Sequence, residues 1–471
     1  MKLWNETVSA PAALACGYTQ LRVMSVLQVN SQAKIQPPAN QSEPLLKKAR
    51  QIALAAQEVG GRAFLVGGYV RDALLGLSPK DADLEVYGIE AEALLELLRR
   101  FGRVDCVGES FRVYKLVWQR RDKHSGDLQR YELDVSLPRR DKKVGAGHRG
   151  FLVEGDPQAT VEEAARRRDF TINAILCDPL TGDIVDPFHG QDDLKRKVLR
   201  AVDDKHFAED SLRVLRAMQF AARFEMEIEP STVELCRTID LSDLPKERIW
   251  GEWEKMLTKP QHPALGLRAG HRLGVLGKLF PPLEAAMSRE GDKLCRALDN
   301  ASEEKVALTY ERQITLLLAA IGVFLGGEGT KQLLDALGVK TLANYPVREQ
   351  VLALIDNAAV PFEFYAHQEE VSEGELRRIA TRCEPRLLYA LARALGAVEA
   401  AEWFINKMRA LGVEEGPPVP LLMGRHLLEM GLKPGRQIGE ITRAIYEMQI
   451  DGTVRTLEQA QDAARCLFES E

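Results

Sequence analysis

The chain has 471 residues, 45% of them hydrophobic and 28% charged, and a formal net charge of −6. A chain of this length is too long for one simple core, so we expect two to four structural units. The composition is typical of a soluble globular protein. The charge argues against a generally basic nucleic-acid binder, and the lack of a run of about 18 apolar residues argues against a membrane span.

The seven cysteines are dispersed and include no C-x-x-C pair. Such an odd, scattered set indicates a reducing compartment, which we take to be the cytoplasm, and argues against a disulfide framework or a zinc site. Residues 1–44 become rich in Gln, Asn, Ser and Pro toward their end and contain few acidic residues. We expect a flexible N-terminal extension or an upstream start here, because the low arginine content does not favour a transit peptide.

The predicted elements alternate at first and then become helical. A helix is predicted to begin near Pro44 and to end at about Val59, before two glycines. The sequence then predicts, in order, a strand at 63–66, a helix through residue 75, a strand that carries Asp81 and Asp83, a helix at 91–101 and strands at 111–119 and 131–137. From about residue 205 the pattern is almost wholly helical. The predicted fold class is therefore α+β, with a small mixed-sheet head followed by an extended all-α part.

Residues 64–88 place a Gly-Gly turn, a helix and a D-x-D pair in that order. Gly67 and Gly68 would let the backbone approach a triphosphate, and the helix N-terminus presents its N–H groups to it. Because side chains two apart on a strand share a face, Asp81 and Asp83 point the same way. Two convergent carboxylates near phosphates predict a Mg²⁺ site and hence metal-assisted nucleotidyl transfer. Each motif alone is common on protein surfaces, but their joint order is far more specific.

This segment resembles the signature L-V-G-G-x-V-R-D-x-L-L-G followed by D-x-D of the tRNA nucleotidyltransferase and bacterial poly(A) polymerase family, which includes the class II CCA-adding enzymes. The matching residues are Gly67, Gly68, Arg71, Asp72, Gly76, Asp81 and Asp83. The resemblance implies that Gly67, Gly68 and Arg71 bind the nucleotide and that the two aspartates are catalytic and hold Mg²⁺. It extends from about residue 60 to the end, firmly through 257, loosely over 258–415 and moderately in the tail.

Asp134 precedes Arg139 by five positions, as an acidic residue precedes an arginine of the nucleotide-binding loop in that family. A third carboxylate beside the D-x-D could hold metal or take the proton from the attacking hydroxyl, although a surface strand residue is an equal alternative. The glycine-rich, basic stretch 137–151 has no periodicity and is predicted to be a mobile loop. It resembles the loop that is intact in family members that add the terminal A and shortened in those that add only the two Cs.

The string RRRDFTINAI at 166–175 contains the second family motif, R-R-D-x-T-I-N-A. The resemblance places Arg168, Asp169 and Asn173 by the ribose and phosphates. Asp169 could accept from the sugar hydroxyls, which would favour NTP over dNTP. An Arg-Asp ion pair with a helix cap would explain these residues but not the whole string. Two further matches, at 186–194 and 244–257, are interpreted as structural.

The string EDSLRVLRA at 209–217 is predicted to lie on a helix, where Asp210 and Arg213 would be neighbours on one face. A carboxylate accepts from an exocyclic amino group and a guanidinium donates to ring nitrogens or carbonyls, so the pair could read cytosine and adenine. The string resembles the E-D-x-x-R protein template that selects CTP and then ATP, and its nucleotide-binding part includes Arg216. Gln219 stands where an arginine is usual. An ordinary surface salt bridge is the alternative.

The segment 421–452 resembles the family's tail, with His426 in place of the usual Asp, and the resemblance implies that this region holds the tRNA elbow. The implied domains are a flexible extension at 1–44, a catalytic nucleotidyltransferase head at 45–200, a helical neck for base selection at 201–270, a helical body at 271–395 and a helical, tRNA-binding tail at 396–471.

The function implied is addition of the 3′-terminal CCA to tRNA from CTP and ATP, without a nucleic acid template, with Mg²⁺ as cofactor and pyrophosphate as product. The partners implied are the tRNA 3′ end and elbow, CTP and ATP; no membrane or protein partner is expected. The alternatives are an A-adding or CC-adding enzyme, a bacterial poly(A) polymerase, and a non-catalytic RNA-binding protein. Poly(A) polymerases carry G-R-R-F-x-L-x-H-V where this chain reads VGESFRV at 107–113, which favours CCA addition.

Overall fold

The computed structural model describes residues 43–79, 81–107, 113–121, 126–143 and 151–469, with only the backbone at 139–143 and 151–154. The chain divides into two compact units. One comprises Met1–Arg140, Val153–Ala164 and Ile172–Arg196, and the other comprises Asp141–Leu152, Ala165–Thr171 and Lys197–Glu471. The predicted extension at 1–44 falls, apart from its last two residues, outside the described part of the chain, and the five-part domain division remains a prediction.

Helices and strands alternate as far as Arg196. In chain order the elements are α1 (Glu43–Glu58), β1 (Arg62–Val66), α2 (Gly68–Leu74), β2 (Asp83–Tyr87), α3 (Ala91–Arg99), β3 (Arg103–Val107), β4 (Val113–Arg121), β5 (Leu128–Ser136), β6 (Arg139–Lys143), β7 (Phe151–Gly155), α4 (Val161–Arg166), a 3-10 turn (Thr171–Asn173), β8 (Leu176–Cys177), β9 (Ile184–Val185) and α5 (Gly190–Arg196).

The first unit is built on a seven-stranded mixed sheet with the strand order β3-β4-β5-β2-β1-β8-β9. β2 and β5 are parallel, whereas the remaining neighbours pair antiparallel. In β1 and β2 every residue after the first is buried. A strand buried on both faces reads as a continuous apolar run, as the residues FLV of β1 do. In β2 the run is interrupted by Glu85, which is 7% exposed and accepts from the Tyr87 hydroxyl at 2.6 Å.

From residue 198 onward the chain is almost entirely helical. The elements are β10 (Val198–Leu199), α6 (Asp204–Phe207), α7 (Leu212–Phe224), β11 (Glu227–Ile228), α8 (Pro230–Thr238), α9 (Lys246–Thr258), α10 (Ala264–Arg272), α11 (Val275–Leu279), α12 (Pro281–Glu304), a 3-10 turn (Lys305–Ala307), α13 (Tyr310–Leu337), α14 (Val347–Asp356), α15 (Val360–Ala366), α16 (Glu373–Arg382), α17 (Pro385–Ala394), α18 (Val398–Ala410), α19 (Gly424–Glu429), α20 (Arg436–Ile450) and α21 (Leu457–Glu469).

Three phenylalanines fix the start of the second unit. Phe170 is fully buried, and its ring packs edge-on against Phe207 of α6 and Phe220 of α7, with centroid separations of 5.5 and 5.7 Å. Buried aromatic pairs of this geometry add to the stabilisation that burial alone gives. The packing holds the backbone on either side of Phe170 against the first turns of α7.

Helix α13 is the most apolar element of the second unit. Among the described residues it is the one helix long and apolar enough to cross a membrane by length and composition, and just over half of its most apolar window is buried inside the protein. Gly326 interrupts it with φ 71°, and the Thr330 hydroxyl donates to the Gly326 carbonyl at 2.7 Å. Such burial is typical of the core helix of a globular unit, and length and composition alone are weak grounds for a span.

The tail forms a small core of its own from α19, α20 and α21, with Leu427, Ile445 and Ala464 among its buried residues. His426 lies at the third position of α19, where its Nδ1 accepts from the Met423 backbone N–H at 3.1 Å. An acidic side chain at this position would perform the same reciprocal capping. The histidine that departs from the family pattern therefore retains the acceptor that the start of this helix needs.

The structure confirms the predicted fold class of a mixed-sheet head followed by helices. Three details differ from the sequence-based expectations. Asp81 precedes β2 rather than lying in it, the predicted mobile loop at 137–151 contains β6 and the first residue of β7, and the strands β3, β8, β9, β10 and β11 were not predicted. The two-residue strands carry too short an alternation to be recognised. Residues 108–112 and 144–150 lie outside the described residues.

Two leucines on paired strands test the assignment of the core. Leu116 of β4 is 0% exposed, whereas Leu128 of β5 is 62% exposed. We expect Leu116→Ala to lower the free energy of unfolding by about 2–5 kcal/mol because it leaves a cavity. Leu128→Ala should change it by less than about 0.5 kcal/mol. Urea denaturation followed by circular dichroism checks both, and equal effects would contradict the sheet as described.

Candidate active site

The Gly-Gly turn connects β1 to α2. Gly67 is the N-cap of α2 and has φ 65° and ψ −129°, a backbone conformation that a residue with a Cβ rarely adopts. Its carbonyl accepts from the Arg71 N–H at 3.2 Å, which closes the first helical turn. Gly68 is the first residue of the helix. The turn therefore presents bare backbone directly beyond the end of a buried central strand.

The D-x-D carboxylates lie at the start of the neighbouring strand. Asp81 and Asp83 are exposed, whereas Ala82 between them and Leu84 after them are buried. This alternation continues the strand period before β2 formally begins, so both carboxylates lie on the solvent side of the chain. Asp83 pairs with Val66, the last residue of β1 before the Gly-Gly turn. The structure thus brings the predicted turn and the predicted carboxylates to one edge of the sheet.

Asp134 lies next to Asp83. The two residues are register partners in the parallel pair β2–β5, and the Asp134 N–H donates to the Ala82 carbonyl at 3.4 Å. Register partners on adjacent strands share a face, so the third predicted carboxylate stands beside the D-x-D. The Asp134 side chain is 43% exposed, so it is not a buried strand residue.

Lys115 extends this row onto β4. It is the register partner of Asp134, and its Nζ lies 3.9 Å from Asp134 Oδ1 and 3.0 Å from Glu132 Oε2. The hydrogen bond to Glu132, and next the charge of Asp134, raise the pKa of the Lys115 ammonium. Lys115 was not among the residues predicted for the site. Its position between Tyr114 and Leu116 on a strand places its side chain on the face opposite to theirs.

The exposed carboxylates of Asp81 and Asp83 suit a divalent cation that takes its remaining ligands from water and a bound substrate. No group of three or more His, Cys, Asp or Glu side chains in the described part of the chain forms a closed metal site. Mg²⁺ typically takes one or two protein carboxylates and fills its other positions with water and substrate phosphates. Asp81 and Asp83, exposed on the solvent side of one edge, supply carboxylates of that kind.

Arg71 and Asn173, both predicted to bind the nucleotide, contact each other. Arg71 is 4% exposed, and its guanidinium donates to Asn173 Oδ1 at 2.6 Å and to Asp72 Oδ1 at 2.8 Å. Asn173 is itself buried. Charge-assisted bonds of this kind are strong when water is excluded. The contact fastens the second motif to the helix that follows the Gly-Gly turn.

Asp169, which is buried, and Arg216, which is half-buried, form a second contact, inside the helical unit. Asp169 is 7% exposed, and its Oδ2 accepts from Arg216 Nε at 2.7 Å while its Oδ1 accepts from the Phe170 N–H at 2.8 Å. Burial lowers the pKa of Arg216, but the charges of Asp169 and Glu252 outweigh it, so that the pKa is raised overall. The arginine therefore stays charged and holds the carboxylate in place.

Asp210 and Arg213 lie one turn apart, where the Arg213 N–H donates to the Asp210 carbonyl at 3.0 Å, but their side chains have other partners. Asp210 lies in the turn before α7 rather than on the helix as expected; its Oδ1 accepts from the Leu212 N–H at 3.1 Å and its Oδ2 lies 3.3 Å from an Arg248 nitrogen. Arg213 donates to the carbonyls of Arg167 and His206. Aspartate favours such a turn because its carboxylate can accept from a backbone N–H two residues on. Burial lowers the pKa of Arg213.

Arg248 of α9 is a residue that the sequence analysis missed. It was included in a string interpreted as helical support, yet it reaches Asp210 from a separate helix. One turn later on α9, Glu252 is 5% exposed, and its Oε1 accepts from Lys255 at 2.9 Å. The signal available in the sequence was the spacing of four residues between Arg248 and Glu252, which places both charged side chains on one face of α9.

The remaining predicted residues are placed as follows. Arg168 is half-buried just after α4, and Arg139 begins β6, where only the backbone is described. Gln219, the departure from the family pattern, is 1% exposed on α7. Within the described part of the chain its Nε2 has no hydrogen-bond partner. A neutral amide at this buried site avoids burying a further positive charge three residues from Arg216.

Two known families match parts of this chain. Residues 63–200 match the family described as the poly A polymerase head domain. Residues 225–287 match the family described as the probable RNA and SrmB-binding site of polymerase A. Asp81, Asp83, Asp134 and the second motif fall inside the first match, and helix α7 lies between the two matched ranges.

Curated relatives match about half of the chain. A multifunctional CCA protein of Stenotrophomonas maltophilia is 39% identical over 236 residues, which cover 48% of this chain and 52% of that protein. A protein of the same description from Aliivibrio salmonicida is 38% identical over 229 residues, covering 47% and 51%. The chain thus spans about half the length of the curated relatives it matches.

Solved structures extend the likeness over most of the chain. A CCA-adding enzyme in complex with CTP superposes with a TM-score of 0.65 at 23% identity, covering 91% of this chain and 96% of that one. A Thermotoga maritima CCA-adding enzyme complexed with tRNA superposes with a TM-score of 0.62 at 23% identity, covering 90% and 96%. At this identity the likeness establishes the fold.

A double-mutant cycle tests the contact between Asp169 and Arg216. We expect Asp169→Asn and Arg216→Gln each to lower the free energy of unfolding by about 1–3 kcal/mol, because each leaves a buried partner unsatisfied. The coupling energy should reach about 0.5–3 kcal/mol.

The matched control is the exposed ion pair Arg436–Glu440, whose side chains are 93% and 57% exposed. Its coupling should stay near about 0.3–0.5 kcal/mol. Urea denaturation measures both cycles, and a coupling at Asp169 no larger than that of the control would refute the contact.

Proposed function

We propose that this chain, whose residues 63–200 carry a poly A polymerase head domain, is a nucleotidyltransferase that adds C, C and A to the 3′ end of tRNA. It uses CTP and ATP, releases pyrophosphate and needs no nucleic acid template. The observation that carries the proposal is the row of Asp81, Asp83 and Asp134 at the sheet edge beside the Gly67 turn. These are the groups that phosphoryl chemistry at a nucleoside triphosphate requires.

Each group at the sheet edge has a role in this reaction. Asp81 and Asp83 would hold Mg²⁺, which when bound supplies positive charge to the phosphate oxygens. Family members generally use a divalent metal, and magnesium is our assignment from the oxygen ligands. Asp134 accepts the proton of the tRNA 3′-hydroxyl as that oxygen attacks the α-phosphate. The Gly67–Gly68 backbone accommodates the triphosphate, because no Cβ stands in its way.

The second motif orients the sugar. We assign Arg168, Asp169 and Asn173 to the ribose and phosphates, with Arg139 in the adjoining basic segment. Arg71 and Arg216 act through their contacts with Asn173 and Asp169, which hold these side chains in place. A sugar that is already oriented loses less entropy on the way to the transition state, so the activation barrier is lower.

Base selection is assigned to the turn before α7. Asp210 accepts from the amino group of cytosine or adenine, and Arg213 donates to the neighbouring ring nitrogen. Arg248 holds Asp210 from α9, and the carbonyls of Arg167 and His206 hold Arg213. Uracil and guanine place a carbonyl opposite Asp210, where it would leave the carboxylate without a donor. We further assign the protein to the cytoplasm, with the tRNA elbow bound by the tail.

Nucleotide incorporation tests this function directly. Purified protein is given three tRNA transcripts, ending before CCA, after C and after CC, with each NTP and Mg²⁺. We expect C, C and A to be added in order and addition to stop there. Asp81→Asn/Asp83→Asn should abolish incorporation, as should chelation of the metal, because the phosphate charge is then not neutralised.

Asp105→Asn is the matched control, since Asp105 is a partly exposed aspartate on β3 of the same sheet, paired with Arg103. It should incorporate like the wild type. A single A on the CC-ended transcript alone would identify an A-adding enzyme, and arrest after CC would identify a CC-adding one. Long A tails on any RNA would identify a poly(A) polymerase, and no incorporation would favour a non-catalytic RNA-binding protein.

Base selection has its own test at Asp210. Asp210→Asn keeps an oxygen that can accept from the Leu212 N–H but replaces a carboxylate oxygen with an amide donor. We expect the ratio of kcat/KM for CTP over UTP to fall about 10- to 100-fold, because an unsatisfied buried acceptor costs about 1–3 kcal/mol. Asp240→Asn, an exposed aspartate after α8, is the control. Unchanged ratios in Asp210→Asn would place base selection elsewhere.

A further inference from the structure

A cleft in the second unit lies outside every residue assigned so far. It has a volume of about 680 Å³ and lies between α10 and the middle of α12. Helix α12 is interrupted there, since Glu290 has the non-helical angles φ −142° and ψ 30°. The interruption separates the two halves of α12, and residues 287–293 around it line the cleft together with Arg268 and His271 of α10.

The charge of the cleft is positive in a chain that is acidic overall. Its permanently basic side chains are Arg268, Arg289, Lys293 and Arg296, and its carboxylates are Glu290 and Asp292. Four positive charges against two negative ones leave a local surplus, although the whole chain carries a net charge of −6. A cationic concavity of this kind concentrates anions.

The ion pairs inside the cleft are weak enough to be exchanged. Arg268 lies 2.9 Å from Asp292, with side chains 52% and 76% exposed, and Lys293 lies 3.2 Å from Glu290. Exposed pairs of this kind contribute about 0–1 kcal/mol, so an incoming anion displaces them at little cost. Arg296 is exposed, and within the described residues it makes no hydrogen bond or ion pair. Arg289 lies 3.1 Å from Glu290 and donates to the Phe324 carbonyl at 2.9 Å, so it is more firmly held than the other three cations. Arg296 is therefore the cation most available to a ligand, followed by Arg268 and Lys293.

The lining also restricts the class of anion. Met287 is the one apolar side chain larger than alanine among the residues that line the cleft, and none of them is Phe, Tyr or Trp. The one aromatic ring of the lining is the imidazole of His271, whose Nδ1 lies 2.9 Å from Glu284 Oε1. A nucleobase needs an apolar or aromatic surface on which to stack, whereas a sugar-phosphate backbone needs only spaced cations. The cleft is open to solvent and is walled by two helices. This shape suits an extended polymer that runs along it better than a small molecule that must be enclosed.

We propose that this cleft binds consecutive phosphates of an RNA backbone and so positions the RNA without reading its sequence. That the RNA is tRNA rests on the proposed function. That the cleft binds phosphates is independent of the proposed function. Contacts of this kind displace counterions, so binding must weaken with salt in proportion to their number.

Salt-dependent binding by the full chain tests the proposal. The probe is a fluorescently labelled tRNA transcript that ends before CCA, and anisotropy gives Kd between 50 and 300 mM NaCl. We expect Arg296→Gln to reduce the slope of log Kd against log salt by about one, and Arg289→Gln/Lys293→Gln/Arg296→Gln to reduce it by about two to three. The loss should be the same on a transcript whose stem sequence is changed.

The matched control is Arg272→Gln, which removes the same charge from α10 at a residue that pairs with Glu227 and does not line the cleft. It should leave the slope unchanged. Arg296→Gln alters an exposed side chain without partners, so its result stands even if the triple variant fails to fold. Equal slopes in Arg296→Gln and Arg272→Gln would overturn the proposal.

Two further measurements distinguish this proposal from a site for free phosphate compounds and from a failure of the proposed function. If calorimetry shows that the cleft variants lose affinity for pyrophosphate or ATP while RNA binding is unchanged, the ligand is a free phosphate compound and the proposal fails. If wild-type protein incorporates no nucleotide but the slope still falls in Arg296→Gln, the proposed function fails and the cleft proposal stands.

Discussion

The parallel register of β2 and β5 is the constraint on which the catalytic edge depends. It sets Asp134 beside Asp83, and the antiparallel register of β4 sets Lys115 beside Asp134. A slip of one residue in either pair would send a whole set of side chains to the opposite face. The alternating burial of β5 opposes that slip, because Leu133 and Val135 are buried whereas Glu132 and Asp134 are not. Core packing and the chemistry of the site are thus fixed by one pairing.

The helical unit uses buried polar contacts for a similar purpose. Phe170 fixes the backbone of the second motif against α6 and α7, and the neighbouring Asp169 is held by Arg216. Arginine suits this role because its guanidinium stays charged when buried and donates along fixed directions. Arg71 acts in the same way on Asn173 within the sheet unit. Arg71 and Arg216, both predicted to bind the nucleotide, thus contact Asn173 and Asp169, two other residues with the same predicted role.

The departures from the family pattern have physical accounts. His426 supplies the capping acceptor that an aspartate would supply, so α19 begins normally. Gln219 occupies a position 1% exposed, where a second guanidinium would need a further buried partner. The basic cleft beside the interruption of α12 was invisible in the sequence, because its cations come from two helices and no motif joins them.

The sequence by itself determined the α+β class, the first helices and the longer strands of the head, and the local motifs, since glycine turns, helix caps and strand alternation are short-range properties. It also placed Asp81, Asp83 and Asp169 among the candidate residues. Only the tertiary structure decided which of these meet. Asp210 lies in the turn before α7, where its carboxylate accepts from the Leu212 N–H and contacts Arg248, and Lys115 lies beside Asp134 through strand register. Such contacts join residues distant in sequence, so local pattern carries no information about them, and packing alone selects them.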